Sequence, residues 1–176
     1  KIDNTARLEI MQDITLPAFE IVEDAANQTY VFTNTPITVE DGVPSGSNWI
    51  PVGSNAAGMI PYAGNANGNG HTISGLYIND VDGYAGLFGQ IDGGDSQENA
   101  VNSENIFVGN IKIANSAVCA NGIAVGAIAG YVRNIKSISN CHVSNCVVKG
   151  TSHAGGIVGY LYTRQSDKNI VLSGCS

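Results

Sequence analysis

Residues 154–161 read AGGIVGYL, residues 85–91 read AGLFGQI and residues 125–132 read VGAIAGYV. Aligned on the last glycine of each (Gly89, Gly130, Gly159), the three stretches share one pattern. An apolar residue stands two before it (Leu87, Ile128, Ile157) and another two after it (Ile91, Val132, Leu161). Alternation with period two marks a strand that buries one face. The other face carries Phe88, Ala129 and Val158, then Gln90, Tyr131 and Tyr160. Glycine weakens a strand interior, so its return at one place calls for a steric reason. The reason expected here is a backbone or bulky side chain lying too close for a Cβ.

A second short motif alternates with the first. Gly75-Leu76-Tyr77-Ile78 precedes it, and Asn110-Ile111-Lys112-Ile113, Asn140-Cys141-His142-Val143 and Gly174-Cys175-Ser176 follow. The spacings from Leu76 to Ile111, Cys141 and Cys175 are 35, 30 and 34 residues. Two motifs sharing such a period predict a repeat architecture, in which each unit buries its apolar edge by stacking on the next.

Trp49-Ile50-Pro51-Val52-Gly53-Ser54, then residues 68–78 (GNGHTISGLYI), then Gly86-Leu87-Phe88-Gly89 resemble the GLUG-motif family. Its usual order is WxPIG, FDGNGHTIxGLYI and GLFG, followed by repeats of GGIVGY and IxNC. The chain departs from it at Ala66 and Asn67, where Phe and Asp are usual. The resemblance covers residues 49–176. It implies a bacterial cell-surface protein, either adhesin-like or a non-catalytic region of an IgA1-protease-type peptidase. It implies architecture and location more than chemistry.

Composition narrows the classes. Hydrophobic residues make up 43% of the 176 and charged residues 13%, with 22 glycines. Apolar residues are spread through the repeats, which suits a β-rich, turn-rich extracellular domain and not a disordered chain. No run approaches the roughly 18 apolar residues of a membrane span, and the start carries no basic-then-apolar leader. The chain opens on Lys1 and stops at Ser176 inside a repeat, so a fragment of a longer, processed protein is expected. The net charge is −7. Residues 1–60 hold eight acids against Lys1 and Arg7, and the remainder is nearly neutral. Neither part offers the basic face that nucleic acid or anionic lipid requires.

Along the chain, Leu8, Ile10, Ile14 and Leu16 alternate as in a strand. Residues 17–28 are open between strand and a short helix with Pro17 at its first position. Residues 30–33 and 37–39 suggest a hairpin across Thr-Asn-Thr-Pro. Residues 41–48 (DGVPSGSN) read as loop. Residues 1–48 are therefore expected to be an N-terminal β cap or insertion, and residues 49–176 the repeat solenoid, continuing past the fragment. Trp49 is expected to anchor the core, and residues 71–79 to form one strand.

Candidate chemistry is sparse. Cys119, Cys141, Cys146 and Cys175 form no CxxC pair. Cys141 and Cys175 share their repeat position with Ile111, which favours packed thiols, with a disulfide as the alternative. His71 sits in GNGHTI and is expected to close a turn. His142 should be exposed, and His153 should stand at a corner. Asp80, Asp82, Asp92 and Asp95 surround the first glycine strand and are weak Ca²⁺ candidates; solvated loop acids are the plainer reading. Glycosidase or lyase chemistry needs grouped carboxylates on a strand face, and the repeat strands carry almost none. Tyr131 and Tyr160 align and predict an aromatic ladder, either a ligand face or lateral packing covered by a loop or by the N-terminal element.

These readings predict an all-β fold: a β-solenoid, taken as a right-handed parallel β-helix of three to four coils. Gly86, Leu87, Gly89, Ile128, Gly130, Gly156, Ile157, Gly159 and His71 are its repeat residues. The expected function is a non-catalytic extracellular module with no cofactor, an adhesin or display scaffold. Its partners would be a host surface protein or glycan and neighbouring domains of the same chain, with no nucleic acid and no membrane insertion. A substrate-positioning region of an IgA-protease-like peptidase is the alternative, and a carbohydrate-active β-helix enzyme the third.

Overall fold

The computed structural model describes residues 4–16, 20–24, 29–33, 38–40, 43–45, 48–53, 60–79, 83–94, 105–163 and 169–176. Among the described residues there is no α-helix. The first part comprises β1 (Leu8–Glu9), β2 (Ile14–Thr15), β3 (Glu20–Asp24), β4 (Thr29–Thr33), β5 (Thr38–Glu40), β6 (Val43–Ser45), β7 (Ala66–Asn67), β8 (Thr72–Ser74) and β9 (Tyr77–Asn79). The repeats follow as β10 (Tyr84–Ala85), β11 (Phe88–Asp92), β12 (Phe107–Gly109), β13 (Lys112–Cys119), β14 (Ala124–Gly126) and β15 (Ala129–Arg133). The chain closes with β16 (Ser137–Ser139), β17 (His142–Lys149), β18 (His153–Gly155), β19 (Val158–Tyr162) and β20 (Val171–Ser173).

Each strand of the repeat region pairs with its counterpart in the next repeat and not with its sequence neighbour. One sheet runs β1-β7-β12-β16-β20, a second β10-β14-β18, a third β11-β15-β19 and a fourth β17-β13-β8-β2, with β9 also on β13. Every pairing in these four sheets is parallel. Parallel neighbours a repeat apart are compatible with a β-solenoid, since successive rungs then lie about 4.8 Å from one another.

The core runs along the stack as columns. Phe88 pairs with Ala129 and Ala129 with Val158, which sets Leu87, Ile128 and Ile157 in one line. Leu87 and Ile128 are buried, and Ile157 packs half-buried against the same cluster. Ile91, Val132 and Leu161 form the next column, and Val108, Ile138 and Leu172 another. The second motif is offset from the alignment expected above. Ile73, not Ile78, pairs with Ile113 and so with Val143. Leu76 lies opposite Ser116, whose Oγ accepts the Leu76 N–H at 3.0 Å. Matching on the letters alone set Gly75 with Asn110, whereas the register sets it with Asn115, also at positive φ.

Backbone sterics explain the recurrent glycines. A Cβ on Gly130 would lie 2.6 Å from both the Ala124 carbonyl oxygen and the Ala85 amide nitrogen. On Gly159 it would lie 2.4 Å from the Val125 nitrogen, and on Gly86 2.4 Å from the Gly126 oxygen. At Gly156, by contrast, a Cβ meets nothing within 4 Å, so close packing does not demand that member of the expected repeat set. Asparagines make the other corners. Asn110, Asn115, Asn140 and Asn145 all have positive φ, which Asn tolerates better than most residues. Asn110 Nδ2 donates to Asn67 Oδ1 at 2.9 Å, Asn140 Nδ2 to Asn110 Oδ1 at 3.2 Å, and Asn145 Nδ2 to Asn115 Oδ1 at 2.6 Å. Gly75 takes this left-handed place before Asn115. It divides the single strand expected over residues 71–79 into β8 and β9.

The N-terminal region also departs from expectation. β1 and β2 join the stacked sheets through Leu8↔Ala66 and Ile14↔Ile73, so the boundary drawn after residue 48 cuts through a rung. Ile10 is a core residue, 5% exposed. Between β2 and Asn48 come two antiparallel hairpins. β3 pairs with β4, which settles residues 20–24 as strand, and β5 pairs with β6. The hairpin expected between residues 30–33 and 37–39 is therefore replaced by these two. The segment read as loop contains β6, whose Val43 pairs with Glu40. Trp49 packs half-buried against the core, and its Nε1 donates to the Leu87 carbonyl at 3.1 Å.

Candidate functional site

The parallel register of β11, β15 and β19 places Gln90, Tyr131 and Tyr160 in one column, and that of β10, β14 and β18 places Tyr84, Ala124 and His153 in the next. The first column lacks a ring at Gln90 and the second lacks one at Ala124. The two columns complement each other. The Tyr84 ring stacks on Tyr131 with centroids 4.7 Å apart at 22°, and Tyr131 stacks on Tyr160 at 5.4 Å and 11°. His153 meets Tyr160 edge-on at 4.8 Å and 75°.

The ladder expected from Tyr131 and Tyr160 is thus present, and Tyr84 and His153 extend it. Sequence comparison of the glycine strands missed these two because they lie on the preceding short strand. Their common offset, two before Gly86 and Gly155, was the available signal. The expectation that a loop or the N-terminal element covers the ladder is not met: Tyr131 is half-buried and Tyr160 is 36% exposed. Burial pushes the Tyr131 phenol above its ordinary value, aided by the neighbouring Tyr84 and Tyr160.

The geometry restricts what this face can hold. A sugar stacks on the free π-face of an aromatic ring. Here the rings lie face to face at the rung spacing, so each inner face is occupied by its neighbour. The stack offers ring edges, and at its end His153 packs against Tyr160. That is lateral packing along the stacked parallel strands and not a row of open platforms.

Asp92 ends β11 and is buried, 8% exposed. Its Oδ2 accepts Arg133 Nε at 3.0 Å and also contacts Arg133 Nη2, while its Oδ1 accepts the Gly94 N–H at 3.0 Å. Both oxygens are engaged by the next rung and by the turn, so this member of the Ca²⁺ set is a structural ion pair and not a solvated loop acid. Asp80, Asp82 and Asp95 lie outside the described residues. Among the described residues, no group of three or more His, Cys, Asp or Glu could hold a metal ion.

His71 links two rungs: its Nδ1 lies 3.3 Å from Asp13 Oδ1, and the Thr72 N–H donates to the same oxygen at 2.8 Å. The Thr72 hydrogen bond, then His71, holds the Asp13 carboxyl below its ordinary value. His142 is exposed, with Nδ1 2.8 Å from Ser176 Oγ. The four cysteines are free thiols. Cys141 is fully buried in the Ile111 column, and burial pushes its thiol up to about 11.

No family model matches the chain, and no solved structure matches it. A protein of Evansella cellulosilytica named "Putative Gly-rich membrane protein" is 37% identical over 90 residues, covering 49% of this chain and 9% of that protein. The chain therefore spans under a tenth of the length of the curated relative it matches. Among the described residues no helix is long and apolar enough to cross a membrane.

Proposed function

We propose that the chain is a non-catalytic repeat module of a bacterial cell-surface protein, of the GLUG-motif kind, and that it acts as an adhesin or display scaffold. In this reading it is a right-handed parallel β-helix of three to four coils, standing on the outer side of the envelope. The observation that carries the reading is the in-register placement of the repeat residues. Leu87, Ile128 and Ile157 fill a core column, Asn110 and Asn140 join in a hydrogen-bonded corner, and Tyr84, Tyr131 and Tyr160 seal a flank. Each repeated side chain serves stacking, which is what a scaffold asks of its repeats. The similarity to a glycine-rich membrane protein supports a place at the envelope.

Recognition in this reading resides in loops and edges and not on the tyrosine faces, because the rings cover one another. The test is an array of host glycans and matrix proteins probed with the isolated chain, run beside an assay for polysaccharide cleavage. Saturable binding without release of reducing ends is expected. Release of reducing ends from any polysaccharide would overturn the non-catalytic assignment, and a blank array would overturn the adhesin role in favour of a spacer.

A further inference from the structure

We propose that the outer face of the sheet β1-β7-β12-β16-β20 carries a sugar-binding subsite, with the Phe107 ring as the platform for one neutral sugar ring of a glycan. The inference rests on the adhesin reading above and adds to its loops a site on a sheet face.

Register lays this face out as a grid. Ala66, Val108 and Ile138 share an inward column and are fully buried, so the residues on either side of them point outward. Asn65 and Asn67 stand on one rung, Phe107 and Gly109 on the next, and Ser137 and Ser139 on the one after. Polar pairs thus flank a rung that carries an aromatic residue and a glycine. Phe107 leans along β12 over that glycine: a Cβ on Gly109 would lie 2.3 Å from Phe107 Cζ and 2.7 Å from Cε2. The ring covers the strand backbone there, as suits a glycine in a sheet. That accounts for one side of the ring. Phe107 is only half-buried, and among the described residues no second ring packs on it. Its other side is an open face of the kind that the tyrosine stack lacks.

The surroundings fix the chemistry of the occupant. A sugar needs an open ring face for its C–H groups and a few polar groups beside it for its hydroxyls. Neighbouring rungs lie about 4.8 Å away, which brings such groups to both sides of the ring. On one side stands exposed Asn65, whose Oδ1 accepts the Phe107 N–H at 2.7 Å and whose Nδ2 remains to donate. On the other stand the Ser137 and Ser139 hydroxyls, neither engaged in a hydrogen bond among the described residues; each can donate and accept. Among the described outward positions the charged residues are Arg7 and Glu9, and they pair with each other. The face therefore fits a neutral, hydroxyl-rich ligand and not an anionic polymer or a basic peptide.

The test titrates the chain with neutral hexasaccharides of glucose, mannose and N-acetylglucosamine, and with a heparin hexasaccharide, while the backbone amide signals of Asn65, Ser137 and Ser139 are followed by NMR. Saturable shifts at those amides with at least one neutral probe are expected. Phe107→Leu keeps an apolar cover on Gly109 without an aromatic face, and it should bind about tenfold more weakly, the weight of one aromatic contact. Phe107→Tyr should bind like the parent. Ser139→Ala, which leaves the ring and its cover in place, should weaken binding several-fold. Undiminished binding by Phe107→Leu would reduce the ring to a cover for Gly109 and overturn the proposal. So would a lack of shifts with every neutral probe, or shifts with the heparin fragment alone. A chain that captures a matrix protein on the array but none of these sugars would lose this site and keep the adhesin reading.

Discussion

The rung of β14, β15 and β16 and the rung of β18, β19 and β20 are built to one pattern, and they differ in burial at nearly every position. Ile128, Val132, Ile138 and Cys141 are fully buried. Their counterparts Ile157, Leu161, Leu172 and Cys175 range from half-buried to 50% exposed. The side chains are of the same type and the backbone path is the same. Among the described residues, the inner rung pairs with a neighbour on both sides and the outer one on one side. Burial here belongs to the contact between rungs and not to the rung, so stability in such a stack is carried by nearest-neighbour interfaces.

The largest test of this contrast is at glycine. Gly130→Ala drives a Cβ to 2.6 Å from backbone atoms of β10 and β14, and a loss of about 3 kcal/mol is expected. Gly156→Ala, at a place where nothing lies within 4 Å, should stay within about 0.5 kcal/mol of the parent. Urea melts of the two variants give the difference directly; equal losses would show that the backbone relaxes around Gly130.

Truncating the columns should separate the two rungs nearly as well. Ile128→Ala opens a cavity in a fully buried column and should cost about 3 kcal/mol. Leu172→Ala, half exposed, should cost less than about 1 kcal/mol. Chemical denaturation with a shared m-value checks both.

A somewhat smaller loss is expected at the ion pair. Arg133→Ala leaves the Asp92 carboxylate buried and without its guanidinium. That should cost about 2–3 kcal/mol, at or below the lower end for broken buried pairs because Arg133 is 25% exposed. Adding Asp92→Asn to that variant should recover part of the loss, and a double-mutant cycle measures the coupling.

The smallest effect is in alkaline solution. The Cys141 thiol is raised in the folded state to about 11, so folding favours the protonated form. Its contribution is complete below the unfolded thiol's ordinary value of 9.0 and is lost as pH rises towards 11. The denaturant midpoint should therefore fall between those values, and Cys141→Ala should flatten that part of the profile.

The repeats were legible because period-two alternation and glycine recurrence are local signals, repeated often enough to compare. Leu87, Ile128 and Ile157 could be placed in one column from their letters alone. The register of the second motif could not, because each repeat has two left-handed places, and letter matching set Gly75 with Asn110 and so put Ile78 where Ile73 belongs. The first rung was hidden for a related reason. Residues 8–15 pair with strands more than 50 positions away, across an intervening pair of hairpins, and no local pattern announces such a partner.

The candidate site divides in the same way. Alignment of Tyr131 with Tyr160 foretold a ladder. Whether that ladder offers faces or edges depended on Tyr84 and on the 4.7 Å and 5.4 Å separations between rings.

Side-chain type and spacing, set by the chain itself, determined that this protein is β-structured and repetitive, with apolar columns and asparagine and glycine corners. Stacking in three dimensions decided the rest: which repeat lies on which, that Asp92 faces Arg133 and not solvent, and that the tyrosines cover one another. The physical reason is that a rung's alternation fixes which side chains point inward, whereas their burial and their partners come from the rung beside it.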